Sequence, residues 1–152
     1  MNSNIFATFE SIALEGDDST LIESEDGQRL SYAEMLRATA RYANALTRLG
    51  VRVGDRVAVQ VYKSIPNYCL YLTTLRMGAT YVPLNTAYQL NELDYFLEDA
   101  EPRVFVCAPT DLAPRIELAH RHAVPHVMTM SDKEDGTLDL LAISEAETFK
   151  AA

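Results

Sequence analysis

The sequence predicts an α/β fold, in which helices cover both faces of a mostly parallel sheet. Helical and strand patterns alternate from Leu30 onward, with short connections between them. A strand, a thirteen-residue helix and a second strand follow one another between Arg56 and Leu84, which is the order of a right-handed βαβ unit. Arg103–Cys107 carries a continuous apolar run, as expected of a strand whose sheet is covered on both faces.

The segment Ser31-Tyr32-Ala33-Glu34 predicts the start of a long helix. The Ser31 hydroxyl and the Glu34 carboxylate can each accept from a free N–H of the first turn, and Gly50 predicts the end of the helix. The pattern in between has an apolar stripe and a polar stripe on opposite sides. The apolar stripe contains Met35, Leu36, Thr39, Tyr42, Ala43, Leu46 and Leu49, and the polar stripe contains Arg37, Arg41, Asn44 and Arg48.

The βαβ unit begins after a turn at Gly54-Asp55. Valine alternates with other residues over Arg56–Val61, which is typical of a strand with one apolar face. Ser64 is a suitable N-cap for a helix over Ile65–Met77, and the second strand covers Ala79–Leu84. Because this helix is apolar almost all round, we expect neighbouring layers to cover more than one of its sides.

The pattern then repeats with weaker signals. The predicted elements are a short helix capped by Asn91 and stopped before Pro102, a helix opened by Thr110 or Asp111 and running to about His120, a strand over Pro125–Met130 and a weak helix over Thr137–Ala146. We therefore expect an N-terminal helix and acidic loop in residues 1–18, an alternating β/α body in residues 19–130, and a polar turn with a weakly ordered tail in residues 131–152.

The length and the charge limit the class of protein. The 152 residues fit one domain that can bury a core, and 13 basic against 22 acidic residues give a formal net charge of −9. That charge disfavours phosphate backbones and anionic lipid, so we expect no nucleic-acid and no membrane partner. We see no signal-peptide pattern and no apolar run near the ~20 residues of a membrane span, so a cytoplasmic location is expected.

Two cysteines, Cys69 and Cys107, lie in strongly apolar runs. They could form a redox pair or half of a metal site, but two buried thiols that act as small hydrophobic side chains are the favoured interpretation. Since the sequence has no disulfide framework, a reducing compartment is expected.

Residue types that bind nucleotides or metals are not grouped as such sites require. The six glycines stand apart, so we recognise no loop in which the main chain could approach phosphate. His120, His122 and His126 point to different sides of a helix and into the next strand, so surface histidines are favoured over metal ligands. The remaining candidates are carboxylates: Asp17, Asp18, Glu23, Glu25 and Asp26 fit a solvated acidic loop, and Asp94, Glu98 and Asp99 fit an exposed helix face.

Lys63 and Ser64 are the candidates for a cofactor-binding site. They follow a strand and open a helix, and ligands of open α/β sheets gather outside the carboxyl ends of strands. A helix N-terminus with a lysine beside it could hold an anion, although an ordinary N-cap next to a solvated lysine is the favoured interpretation. The loop Pro83–Tyr88 shares this position in the predicted topology.

Several segments together resemble the start of the adenylate-forming superfamily, which includes acyl-CoA synthetases, luciferases and peptide-synthetase adenylation domains. The resembling segments are Leu30–Met35, Leu49–Ala58 and Leu75–Asn85, within a stretch from about Thr20 to Cys107. Val59–Ser64 and Pro83–Phe96 look most like malonate–CoA ligases.

The resemblance implies the N-terminal part of the large domain of an AMP-forming acyl-CoA synthetase. Such enzymes use ATP and Mg²⁺ to adenylate a carboxylate, here malonate by preference, and then transfer the acyl group to CoA. The family's phosphate loop and catalytic lysine have no counterpart in these residues. The resemblance therefore transfers no catalytic residue, and we expect the segment to be inactive without its partner, the remainder of the ligase chain.

Two other functions stay open at this stage. The first is a stand-alone binding or regulatory domain. A receiver-type domain would need an acidic residue at the end of a central strand. Here Val61 is followed by Tyr62-Lys63 and Cys107 by Ala108-Pro109, which counts against this class of domain. The second is one half of a split ligase, in which case the apolar helix Ile65–Met77 would have unfilled surface.

Overall fold

The structure is a computed structural model that describes residues 4–16 and 18–152. Within these residues the helices and strands alternate as predicted. In chain order they are α1 (Ile5–Gly16), β1 (Thr20–Glu23), β2 (Arg29–Ser31), α2 (Tyr32–Arg48), β3 (Arg56–Gln60), α3 (Ile65–Met77), β4 (Thr80–Pro83), α4 (Leu90–Ala100), β5 (Val104–Cys107), a 3-10 turn (Pro109–Asp111), α5 (Leu112–Arg121), β6 (His126–Thr129) and α6 (Thr137–Ile143).

The strands form a small antiparallel hairpin and a separate parallel sheet. β1 pairs with β2, and the four-stranded sheet has the order β4-β3-β5-β6. Val57 of β3 lies beside Tyr81 of β4 and Val104 of β5, and Val104 in turn lies beside His126 of β6. Each strand of the sheet lies within the range predicted for it, so the α/β prediction is confirmed.

Helices cover both faces of the parallel sheet, as predicted. On one face Val59 and Val106 pack in a core with residues from α1, α2, α3 and α6. On the other face Ala58, Phe105 and Cys107 pack with residues from α4 and α5. Because successive side chains of a strand point to opposite faces, β5 is buried along its whole length, which explains its continuous apolar sequence.

The predicted start of α2 is confirmed in atomic detail. The Glu34 N–H donates to the Ser31 hydroxyl over 3.1 Å, and the Ser31 N–H donates to the Glu34 carboxylate over 2.8 Å. Each bond satisfies a donor that the helix itself leaves free.

The apolar helix α3 is covered on several sides, which is what its uniform composition predicts. It contacts α1, α2 and β4. Among its large apolar side chains in the described structure, Tyr71 is the exposed one, at 42%. The unfilled surface expected of a split ligase is therefore not found on this helix.

The weaker elements differ from the prediction in their bounds. α4 begins at Leu90 because Gln89, not Asn91, is its N-cap, and the Gln89 N–H donates to the Glu92 carboxylate over 2.7 Å. The segment Pro109–Asp111 forms a 3-10 turn, and Asp111, one of the two residues predicted to open the next helix, is the N-cap of α5, which starts at Leu112. Within the described ranges, no helix has both the length and the apolar content needed to cross a membrane.

The last residues of the chain lie along the polar stripe of α2. Arg41 pairs with Glu147 over 2.8 Å, and the Asn44 side chain donates to the main-chain oxygens of Ala146 and Thr148 over 2.9 and 3.0 Å. Residues 144–152 form no helix or strand. Specific hydrogen bonds thus attach this tail to α2.

Arg76, near the end of α3, holds the same tail at a second point. Its buried guanidinium donates to the main-chain oxygens of Leu36 over 2.9 Å and Phe149 over 2.6 Å, and lies 5.0 Å from the centroid of the Phe6 ring. Burial lowers the pKa of this guanidinium, and the nearby Glu10 carboxylate opposes that shift. Arg76 thus joins α1, α2, α3 and the tail.

Candidate functional site

The candidate site is the carboxyl edge of the parallel sheet, where the loops after its strands meet. Among the described residues, two clefts at this edge border the loop after β3. The first cleft has a volume of about 460 Å³ and lies between the loops after β3, β5 and β6. The second cleft, of about 550 Å³, lies between the loops after β3 and β4. The segment Val61-Tyr62-Lys63 borders both clefts and forms the ridge between them.

Lys63 lies on this ridge, where the topological argument predicted it. Its side chain is exposed, and the described part of the chain shows no hydrogen bond or ion pair to its ammonium group. The neighbouring Tyr62 is 75% exposed. The exposed ammonium group at the mouth of both clefts can attract a ligand that carries negative charge.

Ser64 borders the first cleft, but its hydroxyl is already used within the helix. It caps α3 by accepting from the Asn67 N–H over 3.2 Å. Pro66, in the first turn, has no N–H to offer. The start of α3 therefore leaves few main-chain donors for the phosphates of ATP, and an anion here would depend on Lys63.

The loop Pro83–Tyr88 forms one wall of the second cleft. The Asn85 side-chain oxygen accepts from the Ala87 N–H over 2.9 Å, which closes a tight turn. The Tyr88 ring stacks on Phe96 with 5.1 Å between the ring centroids. The loop thus has a defined shape where it meets the cleft.

Gln60, the last residue of β3, connects this loop to α5 and was not identified from the sequence. Its side chain is buried, with 3% of the residue exposed. Nε2 donates to the main-chain oxygens of Asn85 and Tyr88, both over 3.0 Å. Oε1 accepts from Nε of Arg115 over 3.1 Å and from a terminal nitrogen of Arg115 over 3.0 Å. A single polar residue at the end of a strand gives no signal of partners so distant in sequence.

Asp139 of α6 is a second buried polar residue at this edge that the sequence did not reveal. It is 1% exposed and accepts from the Tyr42 hydroxyl over 2.7 Å and from the N–H groups of Ser131 and Gly136, both over 3.0 Å. Burial raises the pKa of the Asp139 carboxyl, while the three donors oppose the shift. Asp139 thereby holds the loop after β6, which borders the first cleft.

The histidines do not form a metal site in the described structure. His122 is half-buried, and its Nε2 lies 2.9 Å from the Asp94 carboxylate, which also pairs with Arg121 over 3.5 Å. This contact joins α4 to the end of α5, and the Asp94 side chain remains 43% exposed. Over residues 4–16 and 18–152, no three or more His, Cys, Asp or Glu side chains are grouped to hold a metal ion.

The acidic loop has the solvated character that the sequence predicted. Asp18, Glu25 and Asp26 are exposed, and Glu23 makes an exposed ion pair with Arg29 over 3.2 Å. Asp17 lies outside the described residues. Glu98 and Asp99 are exposed on α4, as predicted.

The two cysteines are free, buried and located in different cores. Cys69 lies on one face of the parallel sheet and Cys107 on the other. Burial raises the pKa of Cys69 to about 12 and that of Cys107 to about 11, so both thiols stay protonated at neutral pH. Their interpretation as small hydrophobic side chains is confirmed.

Comparison with known proteins gives a consistent match. The family described as AMP-binding enzyme matches residues 9–151. 4-coumarate–CoA ligase 3 of Oryza sativa subsp. japonica is 30% identical over 94% of this chain and 26% of its own length. Long-chain-fatty-acid–CoA ligase FadD13 of Mycobacterium tuberculosis is 34% identical over 68% of this chain and 20% of its own length. The chain thus spans about a quarter or less of these two relatives.

Solved structures match the whole fold. Apo MatB from Rhodopseudomonas palustris superposes with a TM-score of 0.93 and 40% identity, covering 100% of this chain and 30% of MatB. ATP-bound MatB from the same organism gives the same values. The N-terminal domain of FACL13 from Mycobacterium tuberculosis superposes with a TM-score of 0.83 and 26% identity, covering 98% of this chain and 38% of that domain.

Proposed function

Since the chain belongs to the AMP-binding enzyme family, we propose that it is the N-terminal part of an ATP-dependent acyl-CoA synthetase. The proposed reaction joins a small carboxylate to AMP with release of pyrophosphate, and then transfers the acyl group to the thiol of CoA. The observation that carries the proposal is the match to MatB, at 40% identity along the whole chain.

Malonate is the carboxylate that we propose. One support is that two stretches of the sequence look most like malonate–CoA ligases. The other support is that these stretches, Val59–Ser64 and Pro83–Phe96, both contribute to the walls of the second cleft. Stretches of sequence that are typical of ligases for one acid are expected to lie near the site where that acid binds.

Within this function, the described residues supply the walls of the clefts. Lys63 is the candidate for attracting an anionic substrate, because its ammonium group is exposed on the ridge between them. Ser64 and the start of α3 do not fit the phosphates of ATP, because their donors are used or missing. We therefore propose that the groups that hold ATP, Mg²⁺ and CoA come from the rest of the ligase chain.

It follows that residues 1–152 alone are inactive. Phosphoryl chemistry requires groups that neutralise the charge that develops on the transferred phosphate. This segment has no glycine-rich phosphate loop, and it corresponds to 30% of the length of MatB.

The test is ATP–pyrophosphate exchange, measured for the complete protein and for residues 1–152. We expect exchange by the complete protein with malonate, slower exchange with acetate and with a long-chain fatty acid, and none above the blank by residues 1–152. If the complete protein prefers another acid, malonate is the wrong substrate. If no carboxylate supports exchange, the synthetase proposal fails, and exchange by residues 1–152 alone would refute their inactivity.

A further inference from the structure

We propose that Gln60 is a positioning residue, which fixes the loop Asn85–Tyr88 as a wall of the second cleft and so sets the affinity for the substrate that this cleft accepts. The inference rests on the proposed function, because it assigns a role within the substrate-binding edge of the synthetase.

The hydrogen bonds of Gln60 determine the orientation of its amide. A glutamine side chain has two N–H donors and an oxygen with two lone pairs, and all four are used here. A flipped amide would place Oε1 against the carbonyl oxygens of Asn85 and Tyr88, and Nε2 against the donors of Arg115. Only the observed orientation satisfies every group, so Gln60 holds the loop in one position.

The two carbonyl groups that Gln60 binds lie at the two ends of the loop. Asn85 and Thr86 of this loop line the second cleft. Gln89 also donates to the loop, from Nε2 to the Ala87 oxygen over 3.1 Å. That bond is exposed to solvent, so water can replace it, whereas water cannot easily reach the buried Gln60 amide.

Arg115 extends the support to a third segment. Its guanidinium, with a side chain 12% exposed, donates to Gln60 and lies 3.7 Å from Asp111, which precedes α5. Gln60, at the end of β3, therefore joins the loop after β4 to α5, which follows β5. It also joins the two stretches that look most like malonate–CoA ligases, since Gln60 lies in the first and both of its carbonyl partners lie in the second.

The decisive variant is Gln60→Glu in the complete protein. A carboxylate still accepts from Arg115, so the link to α5 is kept and the fold is retained. It has no N–H for Asn85 and Tyr88, and it places an anionic oxygen against both of their carbonyl oxygens. We expect the KM for malonate to rise about tenfold, with kcat and the KM values for ATP and CoA unchanged within about twofold.

The matched control is Gln89→Glu, which makes the same chemical change at the exposed end of the same loop. All three KM values should stay within about twofold of the parent, because water replaces the lost bond. Arg115→Met is a second variant, which leaves the Nε2 bonds of Gln60 in place. It should raise the same KM as Gln60→Glu by a smaller factor.

Hydrogen exchange of the Tyr88 amide in the complete protein provides a readout that does not depend on catalysis. The Tyr88 N–H donates to the Asn85 oxygen over 3.0 Å, so its exchange reports on the loop. We expect exchange about tenfold faster in Gln60→Glu and unchanged in Gln89→Glu. Unchanged exchange in both variants, or equal rises in all three KM values, would overturn the positioning role. A complete protein without ligase activity would refute the proposed function instead.

Discussion

The two edges of the parallel sheet are built in different ways. At the carboxyl edge, buried side chains join the loops: Gln60 is 3% exposed and Asp139 is 1% exposed. At the amino edge, the helices end in main-chain turns with left-handed backbone angles, with φ of 66° at Gly78 and 53° at Ala123. The side-chain contact between α4 and α5 near that edge, Asp94 with His122, is partly open to solvent.

The difference shows how the fold separates stability from function. The turns that end helices at the amino edge are closed by main-chain hydrogen bonds between residues close in sequence. The side chains of Arg56 and Arg76 add bonds to main-chain oxygens of other segments. Loops at the carboxyl edge depend on side chains contributed by other elements, so their shapes can change while the sheet stays the same. A substrate site at the carboxyl edge is therefore adjustable through a few buried contacts.

The comparison between the two edges can be tested by replacing one glycine with alanine at each edge. At the carboxyl edge, Gly136 is buried with φ of −69°, an angle open to any residue, but a Cβ there would overlap the main chain of Thr129 and Met130. We expect Gly136→Ala to lower the free energy of unfolding by about 2–3 kcal/mol, because the loop after β6 must move. Urea unfolding followed by circular dichroism measures the loss.

The matched substitution at the amino edge is Gly54→Ala. Gly54 has φ of 85°, and a Cβ would meet nothing within 4 Å. The cost is then backbone strain alone, about 1 kcal/mol. If Gly54→Ala destabilises the protein as much as Gly136→Ala does, packing is not what distinguishes the two edges.

The sequence predicted the local turns of the amino edge, but not the buried side-chain contacts of the carboxyl edge. Gly50 and Gly54 were predicted as a helix stop and a turn, and both have left-handed φ angles. Lys63 was placed correctly at the carboxyl edge, because topology alone determines where a strand ends. Gln60 and Asp139 could not be predicted, since their partners lie 25 to 55 and up to 97 residues away, and one sequence carries no signal of such pairs.

A second substitution should strengthen the amino edge. Ala123 follows α5 in the left-handed region, where its N–H donates to the His120 oxygen and the Val124 N–H donates to the Ala119 oxygen. This is the Schellman arrangement, in which glycine is preferred at the position of Ala123. We expect Ala123→Gly to raise the free energy of unfolding by about 0.5–1 kcal/mol, because it removes strain at an exposed site.

The control for this substitution is Ala113→Gly, which places glycine in the first turn of α5, outside the left-handed region. It should lower the free energy of unfolding by about 0.5–1 kcal/mol, since glycine is a poor helix former. Urea unfolding of both variants decides the matter. Destabilisation by Ala123→Gly would mean that the turn into β6 is not strained.

The smallest expected effect concerns the contact between α4 and α5, and it depends on pH. The hydrogen bond from His122, with a smaller contribution from Arg121, lowers the pKa of the Asp94 carboxyl from its ordinary value of 3.8. A lowered pKa in the folded state means that ionised Asp94 stabilises the protein above about pH 4, and that this contribution is lost as the pH falls through the lowered pKa.

In Asp94→Asn, the urea midpoint should therefore lie slightly below that of the parent at neutral pH, and the difference should shrink in acid. Asp99→Asn, which changes an exposed carboxylate of the same helix, should show no such convergence. Since Asp94 is open to solvent, raising the salt concentration should also reduce the difference at neutral pH. A difference that persists unchanged in acid and in salt would mean that this edge, too, is held by a buried polar contact.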